Sequence, residues 1–300
     1  MENQPFKFKK LGVIRYQRTG LELRVGQSAA PAPAPQPYDD AAFFSTPVLM
    51  QGQSPECGGF SLAFLLAYLF NLQEKLSGSF SYAYEKTVDG VPDSDGTTIA
   101  AIGSAGQKAG SCLDGLFNDD GTNPPGWKPT LFSTATPQAI QDALTRAGYI
   151  PLFLTDLSWN GLQAAISKYK AVIIEAKVGD EWYTALNGET SWAAADVLPL
   201  RPPKEVIDAH FFVAGGKYNT ESIWFANSWS TEWGQAGFGY FQENYVPFVM
   251  NAIVLYKAPA SVIQVINHPT IPEESKPQII QQIIDDIEIA LGLIQKEPGA

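Results

Sequence analysis

Residues 58–76 are apolar on nearly every side and contain no proline. A helix without a polar face must be covered all round by the rest of its protein. The stretch therefore predicts a buried helix beginning at Gly58. Its apolar part, 60–72, is interrupted by Ser61, Tyr68 and Asn71. It is shorter than the roughly 20 residues that span a bilayer. Whatever this chain folds into must be built around that helix.

The rest of the sequence supplies the cover. The chain has 300 residues, 45% of them hydrophobic and 12% aromatic, with 17% charged. That is enough apolar material for a sizeable core. A Gly/Asp-rich loop at 87–97 precedes a second helix over 98–109, and shorter helices fit 137–147 and 158–168. Residues 114–130 read as irregular, with turn signals at Asp119-Asp120-Gly121 and Pro124-Pro125-Gly126. Beyond them the segments 171–177, 210–217, 223–227, 237–242 and 248–257 are rich in β-branched and aromatic residues, separated by Gly, Asn and Pro. These predict strands of a mostly antiparallel sheet. Helices first and strands after them make an α+β protein.

Both ends differ from this body. Residues 1–27 form a basic arm, with an alternation around Arg18-Thr19-Gly20 that suggests a β-hairpin within 6–26. Residues 28–39 form a Pro/Ala linker, extended and semi-rigid. The main domain is expected at 40–258. A tail over 259–300 carries an amphipathic helix at 277–296, with Pro277 in its first turn. Up to residue 26 the arm holds six basic and two acidic residues, a balance of +4, which leaves −15 on the rest of a chain of net charge −11. Such an acidic body argues against nucleic-acid and membrane partners. The arm at 1–27 and the helix at 277–296 suit the body itself, a protein partner or solvent.

The chemistry narrows to a few side chains. There are two cysteines and two histidines. Cys57 stands where a polar loop meets the long helix. The positive end of a helix dipole favours a thiolate there, the form that acts as a nucleophile. The alternative is a small buried hydrophobe. His210 begins a strand that can hold an imidazole firmly, whereas His268 lies in a Pro-flanked tail. Asn227 lies in a Trp-rich stretch, 225–234, and its amide can accept the second N–H of a histidine. Trp229 and Trp233 can shield that bond from water. Gln51, six residues before Cys57, can join the Cys57 N–H as an oxyanion donor. Two separated histidines and two cysteines form no metal-ligand pattern, and no cofactor motif is present.

Taken together, these residues resemble the papain-like cysteine peptidases. The resemblance rests on Gln-Gly-x4-Cys at 51–57, on His210 with an apolar strand and Gly215-Gly216 after it, and on Asn-Ser-Trp-x3-Trp-Gly at 227–234 followed by Gly237. His210 lies 153 residues after Cys57, and Asn227 another 17 beyond. The resemblance spans about 40–257 and implies a two-lobed fold, with Cys57 heading the central helix of one lobe across a cleft from His210 and Asn227 on the sheet of the other. It implies hydrolysis of a peptide or protein substrate through a Cys57–His210 pair, with no cofactor. It also implies substrate contacts at Gly96 and Thr97, at Trp229, and at Phe211, a bulky residue that narrows the pocket.

The chain departs from the familiar members. Ser54 replaces a cysteine and Gly58 an aromatic residue, and the usual long propeptide is absent. The low cysteine count and the 178–209 insertion look more like bacterial or viral relatives. Without a secretory signal, the expected location is cytoplasmic or particle-associated. The alternative function is a catalytically silent papain-like module of a larger assembly. A further expectation is self-cleavage within 27–45.

Overall fold

The computed structural model describes residues 13–14, the backbone of 24–25, and residues 36–52, 54–117, 132–179, 182, 199–257 and 279. The predicted hairpin, apart from those four positions, lies outside the described residues. So do most of the linker, much of the irregular 114–130 segment and of the 178–209 insertion, the helix at 277–296 beyond Ile279, and His268.

In chain order the elements are β1 (Arg24–Val25), β2 (Tyr38–Asp39), α1 (Ala41–Ser45), α2 (Cys57–Leu69), α3 (Gly78–Val88), α4 (Ile99–Lys108), α5 (Pro137–Leu144), β3 (Tyr149–Leu154), α6 (Trp159–Tyr169), β4 (Ala171–Val178), β5 (Asp208–Tyr218), β6 (Ile223–Ala226), β7 (Phe238–Phe241) and β8 (Val249–Lys257). The strands form one eight-stranded sheet in the order β1-β3-β8-β4-β5-β6-β7, with β2 on β5. Every pairing is antiparallel except β1 with β3. Helices precede most of the sheet, so the fold is the two-lobed α+β arrangement the sequence implied.

The predicted buried helix is α2, and Cys57 through Tyr68 are all buried in it. It begins one residue earlier than expected and ends sooner. Asn71 turns the chain with φ of 51°, a conformation asparagine tolerates better than most residues. Its second residue must be small: a Cβ on Gly58 would lie 2.4 Å from Thr97 Cγ2 and 3.0 Å from Glu85 Oε2. That explains the glycine where an aromatic was expected.

Besides the short β2 and α1, two longer elements escaped the sequence reading. Helix α3 is capped by the Ser77 hydroxyl, which accepts from the Phe80 N–H. Strand β3 carries Pro151 in mid-run, which weakens the strand signal; it pairs with β8 and with the two-residue β1.

The sheet is apolar on both faces. Ile173, Phe211, Val213 and Ile253 pack with the buried residues of α2, whereas Val172, Ile174, Phe212, Ala214 and Val254 pack on the other side with α6 and the tryptophans 182, 229 and 233. Period-2 alternation sorts each strand between two cores. The end of β5 that carries His210 is thereby seated between helix-facing Phe211 and the aromatic core.

Candidate active site

Four elements converge. Cys57 is the first residue of α2, where the leading N–H groups have no partner within the helix. His210 lies near the start of β5, paired with Ala176 of β4. Asn227 follows the end of β6. The loop before α2 carries Gln51 and is stitched to the loop after β6: Gln51 N donates to Ser228 O (2.8 Å), Ser230 N donates to Leu49 O (3.1 Å), and Met50 bridges Trp229.

His210 Nε2 and Asn227 Oδ1 are 2.8 Å apart. Since Oδ1 also accepts the Ser228 N–H, it is the amide's acceptor end, so Nε2 carries the proton and donates. Nδ1 is left as an acceptor, buried and without a hydrogen-bond partner. Trp229 lies against the ring, centroids 5.0 Å apart. It also has a companion that sequence reasoning missed: Trp182, from the 178–209 insertion, meets the imidazole edge-on at 5.4 Å. A lone tryptophan in a loop carries no periodic signal to find it by.

Gln51 is 1% exposed and held at both ends. Its Oε1 accepts a short hydrogen bond from the Ser228 hydroxyl, and its Nε2 donates to Ser54 O at 2.8 Å. A primary amide has two N–H groups, so one donor stays available near the head of α2. Ser54, in the place of the expected cysteine, donates to Gln51 O and to the Glu56 carboxylate, tying the loop together.

The backbone of Phe211 hydrogen-bonds the Cys57 thiol, which places the sulfur beside the residue after His210. The thiol–imidazole hydrogen bond itself is not made here, since Nδ1 has no partner. Both groups are wholly buried, and burial decides their ionisation. Desolvation pushes the Cys57 thiol up, against the bonds from Phe211 and Gly58 that favour the thiolate. Burial lowers His210 to about 4, against the bond from Asn227. Burial thus opposes charge on both groups, while the helix end and the backbone bonds favour the thiolate.

The predicted substrate residues are placed as follows. Phe211 is fully buried in the core facing α2 rather than lining an open pocket. Gly96 has its backbone turned inward: its N–H donates to Tyr82 Oη (3.0 Å) and its carbonyl accepts from Lys86 Nζ (2.9 Å). The Thr97 carbonyl already accepts from Ile14 N, of the chain's own arm, at 2.7 Å. Val13 and Thr97 form a parallel bridge.

Beneath Thr97 lies a second feature absent from the sequence reading. Glu85 is fully buried with neither carboxyl oxygen hydrogen-bonded; the Thr97 hydroxyl lies beside it outside bonding geometry. Desolvation, reinforced by Glu56 and Asp89, holds its carboxyl well above the ordinary carboxylate range. Among the described residues no group of three or more potential ligands is placed to hold a metal ion.

No family model matches the sequence, and no curated protein matches it. Solved structures do. Xylellain, a cysteine protease from Xylella fastidiosa, superposes with a TM-score of 0.62 at 16% identity, covering 86% of this chain and all of its own. A procathepsin B from Trypanosoma congolense gives 0.59 at 12%, covering 84% and 88%. The Carica candamarcensis cysteine protease CMS1MS2, solved with E-64, gives 0.53 at 16%, covering 75% and 100%. At such identities the likeness shows the fold, which is papain-like.

Proposed function

We propose that the chain is a cysteine peptidase that cleaves peptide bonds in a peptide or protein substrate. The observation that carries this is the His210–Asn227 bond. It fixes the imidazole through Nε2 and leaves Nδ1 as an unsatisfied buried acceptor, on the strand whose next backbone N–H touches the Cys57 sulfur. A buried acceptor without a donor is costly, and here it lies on the ring that Asn227 orients, beside the residue that bonds the thiol. A general base needs it.

Catalysis begins when the cover lifts and Nδ1 takes the Cys57 proton. The sulfur attacks the scissile carbonyl carbon. The resulting oxyanion is held by the Cys57 N–H and the spare Gln51 Nε2–H. As the intermediate collapses, the C–N bond breaks and Nδ1–H gives its proton to the leaving amine. Water then attacks the thioester and Nδ1 accepts its proton. The carboxylic acid leaves and the thiol is restored. Trp229, and the Thr97 carbonyl once vacated, would flank the bound peptide.

A second reading, a silent module with this fold, is favoured by the cover over Cys57 and His210. The two are separated by an epoxide or vinyl-sulfone probe read by intact mass, with and without long incubation under reducing conditions. A single adduct on wild type, absent from Cys57→Ala and slowed in His210→Ala, supports the peptidase. A folded protein that never labels favours the module. The same incubation tests self-cleavage within 27–45, which appears as loss of the N-terminal arm.

A further inference from the structure

One hydrogen bond pins one atom of the His210 ring, and rotation about it is left to the neighbours. Trp229 covers the ring with centroids 5.0 Å away at 38°, and Trp182 closes it edge-on at 5.4 Å and 79°. Trp182 lies outside every recognised motif, three residues beyond Gly179, whose carbonyl accepts its backbone N–H. Yet it is fully buried and fixed on several sides. Its Nε1 donates to Tyr245 Oη (3.0 Å), and that hydroxyl donates to Lys177 O (2.6 Å). Its own carbonyl accepts from Trp233 Nε1 (3.2 Å), and the two indoles stack at 5.9 Å. Tyr245 thus ties the indole to β4, the strand beside His210.

The geometry points to Trp182 as a positioning residue for His210: anchored by Tyr245, it sets the imidazole plane and keeps water from the Nε2–Asn227 bond. This rests on the peptidase reading above. A rigid aromatic wall with its polar atom satisfied is suited to that task, and a hydrogen bond kept dry is the stronger for it. The charged groups that act on the Cys57 thiol are Asp208, on the strand of His210, and Glu85 of α3. Asn227, Trp182 and Trp229 are uncharged, and burial is the leading influence on the ring's protonation.

The test uses the full chain. With only two histidines, imidazole NMR follows His210 directly, His268→Gln identifying the other signal. In parallel, the pH profile of Cys57 alkylation by iodoacetamide is read by peptide mapping. For Trp182→Ala, the His210 midpoint is expected to rise from about 4 by about one pH unit or more toward the free histidine value. The acid limb of the alkylation profile should move with it, and Trp182→Phe should restore most of both. A folded Trp182→Ala whose midpoint and profile match wild type, with only a lower Tm, overturns the proposal. If Trp182→Ala does not fold, Tyr245→Phe removes the anchor alone. A smaller shift in the same direction supports the proposal, and none overturns it. Absence of any wild-type alkylation counts against the peptidase reading, while the imidazole titration still decides what Trp182 does.

Discussion

Glu85 shows how a single side chain sets a pH dependence of stability. Its carboxyl ionises well above its ordinary value of 4.5, so the folded state holds a proton that the unfolded chain has released. Stability is then lost as pH rises through 4.5 toward the raised value. His210 works in the opposite sense. Its folded value of about 4 lies below the ordinary 6.5, so the unfolded chain binds the extra proton, and stability falls as pH drops through that window. A Glu85→Gln variant keeps His210 and isolates the first effect. Its Tm is expected to match wild type near pH 4.5 and to exceed it increasingly toward pH 8, with an advantage of a few degrees. Thermal melts across that range check this, and a constant difference would refute it. Neither group's burial was legible in the sequence. Glu85 precedes Lys86 and looks like a charged helix surface, because nothing local records that Gly58 brings α2 against it.

At the level of elements, legibility followed the strength of each local signal. Helix α2 was plain because no water-facing side exists in its sequence. The later strands were plain from their β-branched runs. Helix α3 was missed because Gly78, three serines or threonines and two tyrosines give it weak propensity, so its Ser77 cap and its packing on α2 carry it. Gln51, Cys57 and Asn227 stood out in the sequence because the motifs that carry them are long or widely spaced. The loop that presents Thr97 was recognised as Gly/Asp-rich and, through the resemblance, as a substrate-contacting segment, but not by what holds it together. Its organiser is Lys86, nearly buried, which reaches Asp89 at 2.6 Å and the carbonyls of Val91, Ser94 and Gly96 at 2.8–2.9 Å. Lys86→Met should leave those acceptors unsatisfied and destabilise the fold by about 2–3 kcal/mol. Hydrogen exchange should rise first across 89–97, and an unchanged exchange rate there would deny Lys86 this role.

For the molecule as a whole, the sheet carries His210, the helical lobe carries Cys57, and Ile14 of the arm donates to the Thr97 carbonyl. The fold class and the bond between His210 and Asn227 followed from the sequence, whereas the contact of Val13 and Ile14 with Thr97 did not. A β-bridge of two residues leaves no pattern, so the arm's charge and alternation left open whether it rests on the body, a partner or solvent. Ile14→Pro removes the N–H that Thr97 O accepts without touching the site. It is expected to speed Cys57 labelling about threefold to tenfold, the worth of one modest hydrogen bond. Labelling at the wild-type rate would separate the arm from the cover.

Because Val13 and Ile14 belong to the same chain as the carbonyl they occupy, their hold on it is unimolecular. A tethered segment presents itself at an effective concentration of about millimolar, and dilution does not lower it. The covered fraction is therefore a fixed property of each molecule, the same in a dilute assay as in a crowded compartment. A ligand that competes for that carbonyl meets the same constant handicap in every molecule, which raises its apparent Kd by a fixed factor at any protein concentration.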